Sequence, residues 1–278
     1  MAERDTLLAV DIGNTQVVAG VLRGAELLGL FRLTSQVART ADELVATLEP
    51  LLLPHLPELR MSRRVAIASV VPALTGAYEE YAMRRLGARP LLVSARLPRL
   101  PIRIDVPDPT SVGADRIANA VAAAALYPLP VIVVDLGTAT TFDVVLPGAR
   151  YVGGVIAPGV WTSAEELFRR GARLAKVELR VPERVVGRTT EASVQSGVLY
   201  GAAGQIDGIL ARISKELSIR PRVVATGGLA PLIAMVSKSL TTVDPGLTLQ
   251  GLRILEERSQ RPSGQPARKA PRRSARKG

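Results

Sequence analysis

The chain has no cysteine and a single histidine in 278 residues. The first absence excludes disulfides, thiolate metal sites and cysteine nucleophiles together, and it fits a reducing, cytoplasmic setting. The second removes HExxH zinc sites and most His-based triads. The one histidine, His55, lies in LLLPHLPEL and reads as a loop residue, not a catalytic one. No GxxxxGK[ST] loop, no Gly-x-Gly pair and no GxSxG elbow occurs. A Walker site, a Rossmann fingerprint and an α/β-hydrolase nucleophile are thereby excluded. The N-terminus carries Glu3, Arg4 and Asp5 and shows no signal-peptide pattern. Residues 117–134 hold no charge over about the length of a membrane span. That run is poor in large apolar side chains and broken by Pro128 and Pro130, so it reads as helix, turn and buried strand, and no membrane contact is expected.

What is present is an apolar fraction of 47%, which marks a globular chain with a sizeable core. The formal charge of +11 is unevenly placed. Eight cations and no acid lie from Arg258 onward, leaving +3 for the rest. Residues 258–278 are rich in Pro, Gly and Ser and are expected to form a disordered basic tail. The tail lacks aromatics to stack on bases, so it reads as a solubilising extension and nucleic acid is not an expected partner.

Alternation predicts three strands across residues 7–33. Thr40 and Glu43 predict a capping box opening a helix to about Leu53. A strand from Val65, a helix beginning at Pro72 and ending near Leu86, and a short strand at PLLV follow. A proline-rich loop covers 94–112, and a helix runs from Ala114 to Leu126. The second half repeats the opening: VIVVDLG, FDVVL and YVGGVIA as strands, then a helix toward Arg169. A long helix over about 191–217, the strand RVVAT, a Gly-Gly turn, a short helix, a strand TTVD and a last helix from Leu247 to about Glu257 complete the reading.

Both halves start with an apolar strand, an Asp, an apolar residue and a Gly. Asp11 and Asp135 are a domain's length apart. The expectation is a duplicated α/β fold: an N-terminal lobe over 1–112, a C-terminal lobe over 113–257, and a ligand cleft between them. A carboxylate at the end of a buried strand is costly without a cation or donors. Gly two residues on permits a tight turn, and the Asn and Thr groups after it offer neutral donors. Those parts suit phosphate oxygens bridged by a hydrated Mg²⁺, and they also suit a plain hairpin; the second copy favours phosphate.

DIGNT, GADRIANAVAA, VVDLGTATTFDVV, GGVIAPG, QSGVLYG and ATGGLAP occur in the order and spacing of type III pantothenate kinases, and the chain resembles that family over about residues 6–257. The resemblance implies an actin-like, ribonuclease-H-like duplicated fold of the acetate and sugar kinase, Hsp70 and actin superfamily. It implies ATP-dependent phosphorylation of pantothenate to 4′-phosphopantothenate, the first step of coenzyme A synthesis. It places ATP phosphates on Asp11, Ile12, Gly13, Asn14, Thr15, Gln16, Val17 and Val18, with Thr138 from the second hairpin. Asp135 resembles the ligand of the monovalent cation, K⁺ or NH₄⁺. Asp115 resembles the proton acceptor, and Gly113, Ala114, Asp115, Arg116 and Thr190 resemble the substrate-binding residues.

Local physics offers plainer accounts beside these. Asp115 suits the first turn of a helix, Arg116 suits an exposed helix face, Gly113 eases a turn, and the Thr190 hydroxyl suits a helix cap. ATGGLA fits an adenosine-side loop and a simple strand-to-helix turn equally. Val106, Asp108 and Thr189 depart from the family pattern around the pantothenate pocket. The family resemblance implies a homodimer, with the small-residue helix SVQSGVLYGAAGQIDGIL as a candidate interface. Two other classes compete: a catalytically idle relative serving as an accessory binding protein, and a superfamily kinase for another hydroxylated acid or sugar.

Overall fold

A computed structural model describes residues 5–171 and 177–260. Contacts divide the chain into two compact units. One runs to Ala125 and resumes at Gly246; the other spans Leu126–Pro245.

The first unit opens with β1 (Thr6–Ile12), β2 (Gln16–Arg23) and β3 (Glu26–Thr34), an antiparallel meander. Helices α1 (Ala41–Thr47), α2 (Glu49–Leu52) and α3 (Leu56–Ser62) follow. The expected capping box is present: the Glu43 N–H donates to Thr40 Oγ1 at 3.3 Å and the Thr40 N–H to Glu43 Oε2 at 2.7 Å. The single helix predicted to Leu53 is split, because Pro50 has no N–H to continue the ladder and instead starts α2. His55 closes a short 3₁₀ turn (Leu53–His55) instead of lying in an open loop.

Strand β4 (Arg64–Ser69) then pairs with β1 in parallel, α4 (Pro72–Leu86) carries proline in its first turn as expected, and β5 (Leu91–Leu92) completes the order β3-β2-β1-β4-β5. Leu8, Val10 and Ile12 of β1 pack with Leu44, Leu59, Leu74 and Tyr81 in one buried cluster. Since side chains alternate across a strand, Leu7, Ala9 and Asp11 share the opposite face.

The proline-rich loop holds a two-residue strand, β6 (Arg103–Ile104), and leads into α5 (Ala114–Leu126). The last helix, α9 (Leu247–Ser259), is assigned by contacts to this first unit, as is all of α5 but its final residue. Packing gives the reason. A Cβ on Gly20 would lie 2.4 Å from Leu249, and one on Gly251 would lie 2.0 Å from the Ala118 carbonyl oxygen. The Gln250 amide also donates to the Ala25 carbonyl at 2.8 Å. Helix α9 reaches Ser259, two residues into the expected tail; residues 261–278 of that tail lie outside the described residues.

Near its C-terminal end α9 is tied to β4 by a buried ion pair. Arg64 Nε donates to both Glu256 oxygens at 3.1 and 3.0 Å, with side chains 10% and 3% exposed. Glu256→Gln leaves Arg64 with the exposed Asp5, 2.5 Å from its Nη1, as its remaining carboxylate, so the substitution is expected to cost about 2 kcal/mol in urea unfolding. A cost under about 1 kcal/mol would show that Asp5 and water together satisfy Arg64.

The second unit repeats the plan. Strands β7 (Val131–Leu136), β8 (Ala139–Leu146) and β9 (Arg150–Pro158) form a meander. Helices α6 (Val160–Arg170) and α7 (Thr190–Glu216) follow, then β10 (Arg222–Thr226), parallel to β7, and α8 (Ala230–Ala234). Ile132, Val134 and Leu136 pack against Leu199, Ile206 and Leu210 of α7. The expected strand TTVD is reduced to one parallel bridge, Ala225 with Val243, because Pro245-Gly246 turns the chain away at once. Among the described residues no helix is long and apolar enough to cross a membrane.

Candidate active site

The duplication places both aspartates alike. Asp11 and Asp135 are each the penultimate residue of the first strand of their unit, and each lies beside a parallel strand, opposite Ala68 and Thr226 respectively. Asp135, like Asp11, points away from its unit's helical cluster, on the face of Val131 and Val133. The hairpins differ by one residue. Ile12 pairs with Val17 across four loop residues, whereas Leu136 pairs with Thr140 across three. The Gly13 N–H donates to the Gln16 carbonyl at 3.0 Å and the Gly137 N–H to the Ala139 carbonyl at 3.1 Å, so glycine closes both turns.

In the first loop, Ile12 and Val17 are buried in the core and offer only backbone, while Asn14, Thr15 and Gln16 are exposed; Asp11, Gly13 and Val18 are half-buried. Ser35, at the end of β3, fastens this loop: its hydroxyl donates to the Gly13 carbonyl at 2.6 Å and its N–H to the Thr15 carbonyl at 2.9 Å. Sequence reasoning passed over Ser35, since a serine after a strand looks like any turn residue.

Asp115 stands on the first turn of α5. Its Oδ1 accepts the Arg116 N–H at 2.8 Å. Burial raises its pKa from the ordinary carboxylate value, and the Arg116 N–H and guanidinium oppose that rise without cancelling it. The plain account of an acid favoured by a helix start predicts a depressed pKa, so desolvation has won here. Val70 links this turn to the first loop, since its N–H donates to the Ile12 carbonyl at 3.1 Å and its Cγ1 would lie 3.4 Å from a Cβ on Gly113.

Gly113 has a steric task that sequence reasoning did not find. A Cβ there would sit 2.5 Å from Asp115 Oδ1. A carboxylate can rotate away cheaply, so Gly113→Ala is expected to leave the melting temperature within a few degrees while lowering kcat by about tenfold or more. Unchanged turnover would mean that this rotamer is not the working one.

In the second unit Asp135 lies in a glycine cradle. Gly227 has φ +90°, and a Cβ on it would lie 2.7 Å from Asp135 Oδ1 and from the Leu136 backbone; a Cβ on Gly137 would lie 3.7 Å from Asp135 Oδ1. Gly227 is therefore more than a loose strand-to-helix turn, because its bare backbone shapes the space beside the carboxylate. Gly228 has open space around it. Thr138 is exposed, and its carbonyl accepts the Thr162 hydroxyl at 2.7 Å. Gly159 packs on the same loop, a contact its place in VIAPG did not announce.

Thr190 is exposed at the first position of α7, and its hydroxyl is not the cap. The neighbour Thr189 caps the helix, accepting the Ala192 N–H at 3.1 Å. Thr189 thus supplies the side-chain acceptor that an Asn would supply at the same place. Asp108 likewise accepts from the Thr110 N–H and hydroxyl at 2.9 and 2.6 Å, a bond an Asn oxygen makes equally well. Ala114 is buried, and Arg116 and Val106 are half-buried.

Among the described residues no cluster of three or more acidic or histidine side chains exists to hold a metal alone. The Asp135 cradle sets one carboxylate beside the Gly227 and Gly137 backbone. It does not fit a structural zinc.

Comparison with known proteins identifies the family. The family model for type III pantothenate kinase matches residues 7–212. The type III pantothenate kinase of Anaeromyxobacter dehalogenans (strain 2CP-C) is 46% identical over 255 residues, covering 91% of this chain and all of that one. That of Moorella thermoacetica is 44% identical, covering 91% and 99%. Among solved structures, a protein described as a Baf family transcriptional activator from Campylobacter jejuni superposes with TM-score 0.53 at 18% identity, covering 91% of this chain and 97% of its own. The activator of 2-hydroxyisocaproyl-CoA dehydratase from Clostridium difficile, with bound ADPNP, gives 0.52 at 12%, covering 94% and 100%. These two show the actin-like α/β fold, and the full-length identities show the rest: with its paired Asp-x-Gly hairpins and its Gly-Ala-Asp-Arg helix start, the chain belongs to the type III pantothenate kinase family.

Proposed function

We propose that this chain transfers the γ-phosphate of ATP to the 4′-hydroxyl of pantothenate, giving ADP and 4′-phosphopantothenate, and that Asp115 is the proton acceptor. The observation that carries the assignment is Asp115 itself: a carboxylate at a helix start, given room by Gly113, whose burial raises its pKa. Such a carboxylate orients an alcohol and takes its proton as the oxygen attacks phosphorus. The new O–P bond forms as the bond from phosphorus to the departing ADP oxygen breaks, and the proton rests on Asp115.

The other roles follow the family pattern. The backbone and polar groups of Asp11–Val18 hold ATP phosphates, Asp11 orients a hydrated Mg²⁺, and Thr138 adds a donor. The Arg116 guanidinium faces the pantothenate carboxylate, a match of planar cation to carboxylate. Gly113, Ala114 and the Thr190 hydroxyl line the substrate. Asp135 would hold K⁺ or NH₄⁺, and such an ion would supply positive charge to offset that of the phosphates. The protein works in the cytoplasm as a homodimer; α7 offers an exposed row of Gly197, Gly201 and Gly204 on which a second helix can approach closely.

Coupled ADP release with pantothenate, compared with N-acetylmannosamine and glucose as acceptors, tests the reading. Pantothenate-dependent turnover and a product heavier by one phosphoryl group are expected; turnover only with a sugar moves the chain to another substrate, and none with any acceptor favours the idle relative. A pH profile adds a second check. The base must be ionised and burial raises its pKa, so kcat/KM for pantothenate is expected to fall on acidification through a value above the ordinary aspartate range. A rate flat down to pH 4 would remove Asp115 from this role.

A further inference from the structure

We infer that the second unit carries a separate site for a phosphorylated small molecule with an apolar body, at the end of the sheet opposite the Asp135 loop. A surface pocket of about 640 Å³ lies where β7 and β10 begin, a volume in the range of small-molecule sites. Part of its lining is an apolar floor of buried Leu210 and half-buried Pro130 and Val223, with exposed Pro128 at the edge. Three cations, Arg220, Arg222 and Lys238, and the hydroxyl residues Ser214, Ser239 and Thr241 also line it.

The charge of this lining is unbalanced. Among the described residues Arg220, Arg222 and Lys238 make no ion pair, unlike Arg84, Arg85 and Arg169, which each face a carboxylate. Among the described residues the one acid lining the pocket, Asp207, is already engaged. It accepts the Ser237 hydroxyl at 2.7 Å and the Lys238 and Ser239 N–H groups at 3.1 Å each. Burial alone would raise its pKa, and those bonds lower it, so at neutral pH it is a fixed anion organising the 237–239 turn. Three cations against one committed carboxylate leave an excess of two positive charges, the complement of a phosphate monoester dianion. Like charges gathered beside an apolar floor repel through a medium that screens them less than bulk water does, and an anion seated among them relieves that repulsion. The floor then has a use for a ligand with more than a phosphate to offer, because it gives an apolar body somewhere to leave water.

This site is distinct from the nucleotide loops. Arg222 pairs with Val131 at the pocket, and Thr226 pairs with Asp135 at the other end of the same two strands. Four residues at about 3.3 Å each separate them by about 13 Å. The inference does not depend on the identity of the acceptor alcohol.

Phenyl phosphate, one dianionic phosphate on one apolar ring, is the probe. The full-length protein, isotopically labelled and holding a saturating non-hydrolysable ATP analogue with Mg²⁺ to fill the nucleotide site, is titrated while the amide resonances of Val223, Lys238 and Ser239 are followed. Saturable shifts are expected with Kd about 1 mM or tighter. Phenol is expected to leave these amides unmoved, inorganic phosphate to bind about tenfold more weakly, and the variant R220Q/K238Q to weaken phenyl phosphate binding about tenfold. Both substituted side chains are exposed, and an unchanged melting temperature confirms the fold. Absent shifts, equal shifts with phenol, equal affinity for inorganic phosphate, or undiminished binding by the variant would overturn the inference.

Discussion

Asp115→Asn is expected to lower kcat by about 10²–10⁴-fold, the range for losing a general base, while the KM for ATP stays within about threefold. The substitution keeps the shape and the acceptor for the Arg116 N–H, so the helix start remains intact. It removes only the ability to take a proton. Stability is expected to move the other way. Because burial holds the folded pKa of Asp115 above its unfolded value, the ionised form is the disfavoured one in the folded state. Stability from this group is therefore full at low pH and lost as pH rises through the folded pKa, so at neutral pH a permanently neutral Asn is level or better. An inactive variant that melts at or above the parent separates catalysis from folding. A variant that melts many degrees lower would show that the charge is structural.

Gly159→Ala is expected to damage both fold and nucleotide use. The residue has φ −68° and ψ 152°, a conformation alanine adopts freely, so the penalty is purely one of space. That space is missing: an added Cβ would lie 2.1 Å from the Thr138 carbonyl oxygen and 2.7 Å from that of Gly137. Both are backbone atoms and neither can rotate aside. The loop must move or α6 must lift, and either change breaks the Thr162 bond to the Thr138 carbonyl. Overpacking of this kind costs on the order of 3 kcal/mol, and displacing Thr138 by about an ångström costs about 100-fold in kcat/KM for ATP. Chemical denaturation and steady-state kinetics check the two parts. Gly228→Ala is the control, since its added methyl meets nothing within 4 Å and no loss beyond about 0.5 kcal/mol is expected.

The strands and helices were legible because their signals are local. Alternation gave the two meanders, Thr40 and Glu43 gave the first cap, and Pro72 gave the start of α4. The candidate residues were legible because the Asp-x-Gly device is repeated and the Gly-Ala-Asp-Arg stretch is specific. What stayed hidden depends on partners distant in the chain. Helix α9 packs back on α5 through Gly251 against Ala118 and on β4 through Glu256 with Arg64, contacts that span well over a hundred residues. The sequence left Gly113 open between a substrate contact and an eased turn and Gly227 open between an adenosine-side loop and a simple turn, and it assigned Gly159 no task; only the positions of Asp115, Asp135 and the Thr138 carbonyl show what each leaves room for. Thr189 and Thr190 were ambiguous for a smaller reason: adjacent threonines both suit a cap, and one residue of phase decides between them.

Rapid-quench transfer of labelled γ-phosphate in a single turnover, with ATP, Mg²⁺, K⁺ and pantothenate, tests the central claim most directly. The account predicts label in 4′-phosphopantothenate for the parent protein, and label retained in bound ATP for Asp115→Asn. Transfer at the parental rate in that variant, or label that never reaches pantothenate in the parent, would contradict it.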